Sequence, residues 1–321
     1  MMKKVQLSHT GIDVSCLCLG TLRFGTRKTY EESAKVMDMY LEAGGNFIDT
    51  ANAYDQWCEQ GKGGESEVTI GRWLRERGNR QDIFLATKVG FGYRDVPDGL
   101  AASTIISECE SSLRRLGVDR IDLYYAHHDD PHTPLEETLR AFETLVNDGK
   151  IRFYGASNYL PWRLADADAI CQRHRWAGYC CVEQRFSYLR PRSGGDFGPQ
   201  CLIDDHLMSY CDARGKTMLA YTPLLRGAYV RSDRAIPSPY LGQDTDERIK
   251  ALREVAQDLG KTPNQVVLAW MLHRQPPLIP VFSAGTAEHM RENLGALDVH
   301  LSAKHMEKLD LAGHCPNDEP V

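Results

Sequence analysis

Several signatures are missing from this 321-residue chain, and each absence narrows the reading. No apolar run approaches the roughly 18 residues that a membrane span needs, so a membrane is not an expected partner. Positive charge is not in excess. A formal net charge of -6 argues against nucleic acid or an anionic surface as the main partner. No H-E-x-x-H occurs. No G-x-G-x-x-G follows a strand-like run, and Gly61-Lys62-Gly63-Gly64 is only a near miss in a polar loop, which disfavours a classical dinucleotide-binding fold. The ten cysteines (Cys16, Cys18, Cys58, Cys109, Cys171, Cys180, Cys181, Cys201, Cys211 and Cys315) contain no C-x-x-C and read as reduced structural thiols. The opening MMKKVQLSHTG has lysines without an apolar stretch behind them, unlike a secretory signal. A cytoplasmic location is the expectation.

What is present is regular alternation. Apolar residues at 42% and charged residues at 26% are ordinary for a globular chain with a large core. Strand-like runs fall at Cys16–Gly20, Asn46–Thr50, Ile83–Lys88, Ile121–His127, Arg152–Ser157, Cys180–Gln184, Thr217–Tyr221 and Leu278–Phe282. Between them lie amphipathic stretches such as YEESAKVMDMYLEAG and PLEETLRAFETLVNDGK, several ending at glycine (Gly44, Gly78, Gly117, Gly149), and Pro134 suits the first turn of the helix it opens. Eight strands with intervening helices and no low-complexity linker predict an α/β closed parallel (β/α)₈ (TIM) barrel, one domain spanning 1–321. The segment VQLSHTGIDVS reads as an N-terminal β-hairpin that plugs the bottom of the barrel. Two long Arg-, Gly- and Pro-rich connections, RFSYLRPRSGGDFGPQ and LLRGAYVRSDRAIPSPYLGQD, are expected to cover a ligand at its mouth.

The polar residues at strand ends carry the chemistry. Phe47-Ile48 ends in Asp49, IFLATK stops at Lys88, IDLYYAH stops at His127, and Tyr54 follows Asp49 by five residues. Charges at the ends of buried strands are costly unless paired and used. Ser157-Asn158, Gln184 and Tyr221 fall at the same ends, where barrels of this kind build active sites. Proton transfer is the reading that fits: Asp49 holds Lys88 charged, Lys88 lowers the pKa of the Tyr54 phenol, and His127 orients a carbonyl. A structural Asp49–Lys88 ion pair with a packed tyrosine is the plainer alternative. His127-His128-Asp129-Asp130 with His132 has no recognised zinc spacing, and adjacent strand residues point to opposite faces, so no metal is expected; His128 and Asp129 are placed at the rim.

Taken in order, LGTLRFG, FIDTANAY, GESE at Gly64–Glu67, ATKVG, VDRIDLYYAH, GKIRFYGASNY, VEQRFSYL, LAYTPLLRG and TAEHMRENLGAL resemble the aldo-keto reductase family over nearly the whole chain. That resemblance implies a barrel binding a nicotinamide cofactor without a Rossmann domain, and reversible reduction of aldehydes and ketones. It implies Asp49, Tyr54, Lys88 and His127 as the catalytic set, with no departure from the family's pattern. It further implies cofactor contacts from Gly20, Thr21, Asp49, Ser157, Asn158, Gln184, Tyr221, Thr222, Leu224 and Leu225. Ser283, Thr286, His289, Glu292 and Asn293 are implied on the adenine side. Here the chain departs from pattern: the family usually places Lys or Arg around Ser283–Gly285 and Arg or Gln at His289 to grip a 2′-phosphate. NADP(H) is the favoured cofactor and NAD(H) the second choice, because a helix start can hold an anion without a guanidinium.

Leu22, Phe24, Trp57, Phe91 and Tyr93 lie on loops nearest the four residues and read either as an aromatic substrate wall, joined by His128, or as loop packing. Arg190, Arg192, Arg226 and Arg231 are candidates for a cofactor phosphate or a polyhydroxy substrate. The expected activity is an NAD(P)H-dependent oxidoreductase acting on a small carbonyl or alcohol. The alternative is a cofactor-binding regulatory protein on the same fold with little turnover.

Overall fold

The computed structural model describes residues 2–314, and Cys315 lies outside them. Strands β1 (Lys4–Gln6) and β2 (Asp13–Ser15) pair antiparallel as a hairpin. Eight further strands form one closed parallel barrel: β3 (Cys18–Gly20), β4 (Phe47–Asp49), β5 (Phe84–Val89), β6 (Ile121–Ala126), β7 (Ile151–Ser157), β8 (Tyr179–Arg185), β9 (Thr217–Tyr221) and β10 (Leu278–Phe282), with β10 closing on β3 through Val281 and Cys18. Helices α1 (Tyr30–Glu42), α2 (Glu65–Arg77), α3 (Ala102–Leu116), α4 (Leu135–Asn147), α5 (Pro161–His174), α6 (Asp205–Arg214), α7 (Thr245–Leu259), α8 (Pro263–His273), α9 (Ala287–Leu294) and α10 (Ala303–Leu311) make the remaining layer. The crossover from β9 to β10 carries two helices rather than one.

Local chemistry explains where elements start and stop. Thr29 and Glu32 form a reciprocal cap at the start of α1, and Thr262 with Gln265 does the same for α8. Gly78 and Gly117 end α2 and α3 in the left-handed conformation. Pro134 sits just ahead of α4 at its N-cap rather than inside the first turn. In α4, Leu135, Thr138, Leu139, Phe142 and Leu145 make the buried stripe, and Phe142 stacks on Tyr154 of β7 at 5.5 Å. Truncating such a ring to alanine costs about 3–5 kcal/mol. The first barrel strand is shorter than the pattern Cys16–Gly20 predicts, because the Cys16 amide instead donates to Lys3 O and continues the hairpin.

Alternation along the strands sorts side chains to two faces. Phe47, Phe84, Ala86, Leu123, Tyr125, Cys181 and Leu219 pack inside the barrel with Leu7 and Val14 of the hairpin. Phe47 and Phe84 begin their strands, so the hairpin seals the N-terminal end; Ser8 is tied there to Thr217 and Gly215 O. Gly155 makes room within: a Cβ there would sit 2.7 Å from the Tyr125 ring. Among the described residues, no helix is long and apolar enough to cross a membrane.

Candidate functional site

The same alternation brings polar groups together at the opposite, C-terminal end. Asp49 lies two residues past the inward Phe47, Lys88 two past Ala86, His127 two past Tyr125, Glu183 two past Cys181 and Tyr221 two past Leu219. Lys88 and Asp49 form an ion pair with no exposed atom on either side chain. Lys88 Nζ donates also to Thr50 O at 3.0 Å and to the Tyr54 hydroxyl at 2.9 Å. The Tyr54 hydroxyl in turn donates to Asp49 Oδ2 at 2.9 Å. The His127 ring meets the Tyr54 ring edge-on with centroids 5.9 Å apart, and its buried Nδ1 has no partner within the protein. Phe91 packs against both His127 and His128, at 4.7 and 4.5 Å.

Electrostatics follow from burial. Desolvation alone would lower the Lys88 pKa, but Asp49 and Glu183 outweigh it and hold the ammonium charged. Burial, then the Asp49 and Glu183 carboxylates, push the Tyr54 phenol well above its ordinary value. The Lys88 ammonium alone would lower it, as the sequence predicts; burial and a second carboxylate, Glu183, reverse the direction. Burial and the Lys88 charge push His127 well below the usual imidazole value, so it is neutral at pH 7. Glu183, on β8, has Oε1 3.5 Å from Lys88 Nζ and its own pKa pushed up to about 8, first by burial. Strand alternation with Cys181 was the signal that could have found it.

A second set surrounds this core. The Asn158 amide donates to Gln184 Oε1 at 2.7 Å, and its side-chain nitrogen to His127 O at 2.9 Å and to Ser157 Oγ at 3.1 Å. Tyr221 donates to Asn158 Oδ1 at 2.7 Å, and Gln184 Nε2 to Tyr159 O at 2.6 Å. Gly20 ends β3 and pairs with Asp49, and the Thr21 hydroxyl donates to Asp49 O at 2.8 Å. Asn158, Thr222 and Leu225 adopt positive φ (58°, 58° and 46°), as do Asp55 and Arg226. Non-glycine residues held this way cost about 1–3 kcal/mol each, and they gather at ligand sites.

Other candidates are placed differently. Phe24 is only 2% exposed and packs with the barrel–helix core, and Tyr93 is buried with its hydroxyl on Glu108, so neither faces an open wall. Leu22 is half-buried and Trp57 is 63% exposed. His128 has Nδ1 2.7 Å from Asp129 O and Nε2 3.5 Å from Asp98, while Asp129 pairs with Arg163. Glu292 is engaged by the α8 cap through Thr262 at 2.8 Å, and Asn293 donates to Ser283 O at 3.3 Å. Ser283 and His289 are exposed, and Thr286 caps α9. Leu224 and Leu225 enter a 3₁₀ turn on the long loop after β9. That loop meets the one after β8: Arg192 N donates to Pro239 O at 2.8 Å, and Leu189 N to the Tyr229 hydroxyl at 3.1 Å.

The segment Ser283–Thr286 has no cation of its own, but one reaches it from elsewhere in the chain. A Cβ on Gly285 would lie 3.2 Å from Lys28 Cε, so Lys28, on the β3–α1 loop, covers the approach to α9. Arg23 is half-buried, and its guanidinium pKa is lowered by burial and by facing Arg27, Arg226 and Arg234. Asp55 opposes that lowering and pairs with Arg27 at 3.3 Å. Among the described residues no group of three His, Cys, Asp or Glu side chains is placed to hold a metal ion.

Comparison with known proteins agrees with this architecture. Residues 16–313 match the model of the Aldo/keto reductase family. The chain is 30% identical to the uncharacterized oxidoreductase YrpG of Bacillus subtilis, covering 96% of this chain and 95% of that protein. It is 32% identical to norsolorinic acid reductase stcV of Emericella nidulans over 94% of this chain and 78% of that one. The aryl-alcohol dehydrogenase [NADP(+)] of Phanerodontia chrysosporium is 26% identical, with 94% and 83% covered. The chain belongs to the aldo/keto reductase family.

Proposed function

We propose that the protein is an NADP(H)-dependent oxidoreductase that interconverts aldehydes or ketones with their alcohols, Tyr54 supplying the proton. One observation carries the reading: the Tyr54 hydroxyl is bonded to both Lys88 and Asp49 and stands beside the ring of a neutral His127. A substrate oxygen placed between the two rings meets a hydrogen-bonding imidazole on one side and, once the Tyr54 hydroxyl turns its proton away from Asp49, a proton donor on the other. In reduction, Tyr54 gives its proton to the developing alkoxide while Lys88 stabilises the phenolate left behind. In oxidation, the phenolate takes the proton back. Asp49 holds Lys88 in place throughout.

The residues present fit a nicotinamide dinucleotide. The crowded Arg23, Arg27, Arg226 and Arg234 suit its diphosphate, and Lys28 beside the α9 start suits a 2′-phosphate, favouring NADP(H) over NAD(H). Gly20, Thr21, Ser157, Asn158, Gln184, Tyr221 and Thr222 border the nicotinamide end, and Leu224, Leu225, Ser283, Thr286 and His289 border the phosphate and adenine end. The cofactor supplies the hydride when bound. The substrate side is assigned to Leu22, Trp57, Phe91 and His128: Phe91 packs on both His127 and His128, and with the exposed Trp57 it favours an aryl or other apolar carbonyl. The relative named aryl-alcohol dehydrogenase [NADP(+)] supports that class. NADPH consumption with an aromatic aldehyde, run beside NADH and beside the Tyr54→Phe protein, tests the proposal. Equal turnover by Tyr54→Phe would falsify the proton-donor role.

A further inference from the structure

Glu183 has no part in that chemistry, yet it shares its cation. Its side chain is 3% exposed, enters the barrel interior from β8, and stands 3.5 Å from Lys88 Nζ with Oε2 unpartnered. The three protons of Lys88 are already directed to Asp49, to Thr50 O and to Tyr54. A bond to Glu183 therefore requires releasing one of these acceptors. Tyr54 is the one of them that carries no charge and is not fixed in the backbone.

We infer, resting on the function proposed above, that Glu183 is a positioning residue: from inside the barrel it competes with Tyr54 for Lys88 and so sets how tightly Tyr54 holds its proton.

The surroundings support a two-state competition. Lys88 and Asp49 are the charged groups that face Glu183, from β5 and β4. Besides Tyr54 itself, Cys18 on β3, Tyr125 on β6, Cys181 on β8 and Tyr221 on β9 are titratable neighbours; burial raises these four, so they stay neutral. β10 presents Ile279 and Val281, and β7 contributes Ser157 beside Glu183 in register. One ammonium thus serves two carboxylates. With Glu183 protonated, the cluster is electrically balanced and Lys88 remains with Asp49 and Tyr54. When Glu183 ionises, near its value of about 8, the added negative charge draws Lys88 inward and disfavours the phenolate. Reduction, which needs the phenol, then persists to higher pH, and alcohol oxidation, which needs the phenolate, starts at higher pH.

The test compares wild type with Glu183→Gln, which keeps the shape and removes the charge. Two readouts are used. In the first, the pH profile of alcohol oxidation should move to lower pH by about one unit in Glu183→Gln, a tenfold change in the phenolate fraction at a given pH. In the second, the protein without cofactor is labelled with ¹³Cζ-tyrosine, and the Tyr54 resonance is assigned by its loss in Tyr54→Phe. That resonance should show a step where Glu183 ionises, and the step should vanish in Glu183→Gln. Superimposable resonance titrations of the two proteins overturn the inference. The resonance readout needs no turnover, so failure of the enzymatic proposal and failure of this one are told apart. Should Glu183→Gln not fold, Glu183→Asp takes its place: a retained step at a displaced pH supports the coupling, and an unmoved step overturns it.

Discussion

Lys88 donates to the Tyr54 hydroxyl at 2.9 Å from a side chain with no solvent-exposed surface, so the cation bonded to the phenol is itself shielded from water. Tyr54→Phe removes the proposed proton donor and leaves that cation with Asp49. Turnover is expected to fall about 10²–10⁴-fold, the usual worth of a positioned general acid. Cofactor affinity, read from quenching of tryptophan fluorescence, should stay within about twofold, since the phenol is not a phosphate or adenine contact.

Buried ion pairs give a sharper test through stability. Lys88→Met leaves Asp49 and Glu183 facing each other without a cation, and breaking such a pair costs about 3–5 kcal/mol. The double variant Asp49→Asn/Lys88→Met should recover most of that loss in a denaturant titration while remaining inactive. A double variant as unstable as the sum of the singles would show that the two side chains do not act as a pair.

His127 makes the pH prediction. Its folded pKa is depressed by burial and by Lys88, so the unfolded chain binds the proton more readily. The sign follows: stability is complete above the unfolded imidazole value of about 6.5 and is lost as pH falls below it. Wild type should therefore lose more thermal stability between neutral and mildly acid pH than His127→Gln. Equal losses would mean that the imidazole is not desolvated as the fold indicates.

Much of this was legible in the chain. Thr217–Tyr221 and Leu278–Phe282 were readable to the residue because apolar runs there end at turn residues, and the rim position of Asp49, Lys88 and His127 followed from strand ends alone. Phe24 and Tyr93 could be read either way, since an aromatic on a loop near the rim has the same composition whether it faces a ligand or, like Phe24, packs into the barrel–helix core. Glu183 was overshadowed by Gln184, although alternation from Cys181 puts the glutamate inside. Lys28 and Arg23 were out of reach: their relation to Gly285 and to Arg226 joins loops more than 200 residues apart, which no local pattern encodes.

That long-range pairing supports a last prediction, on cofactor choice. The segment Ser283–Thr286 has no cation of its own, and Lys28 lies over Gly285 while also paired with Glu32 at 3.0 Å. If Lys28 grips a 2′-phosphate, Lys28→Met should weaken NADPH binding about tenfold, or roughly 1.4 kcal/mol, and leave NADH binding unchanged. Glu32→Gln frees the ammonium from its partner and should strengthen NADPH binding slightly. Fluorescence titration with each nucleotide measures both. Equal weakening for the two nucleotides in Lys28→Met would assign Lys28 to the shared diphosphate rather than to the 2′-phosphate, since only the latter distinguishes them.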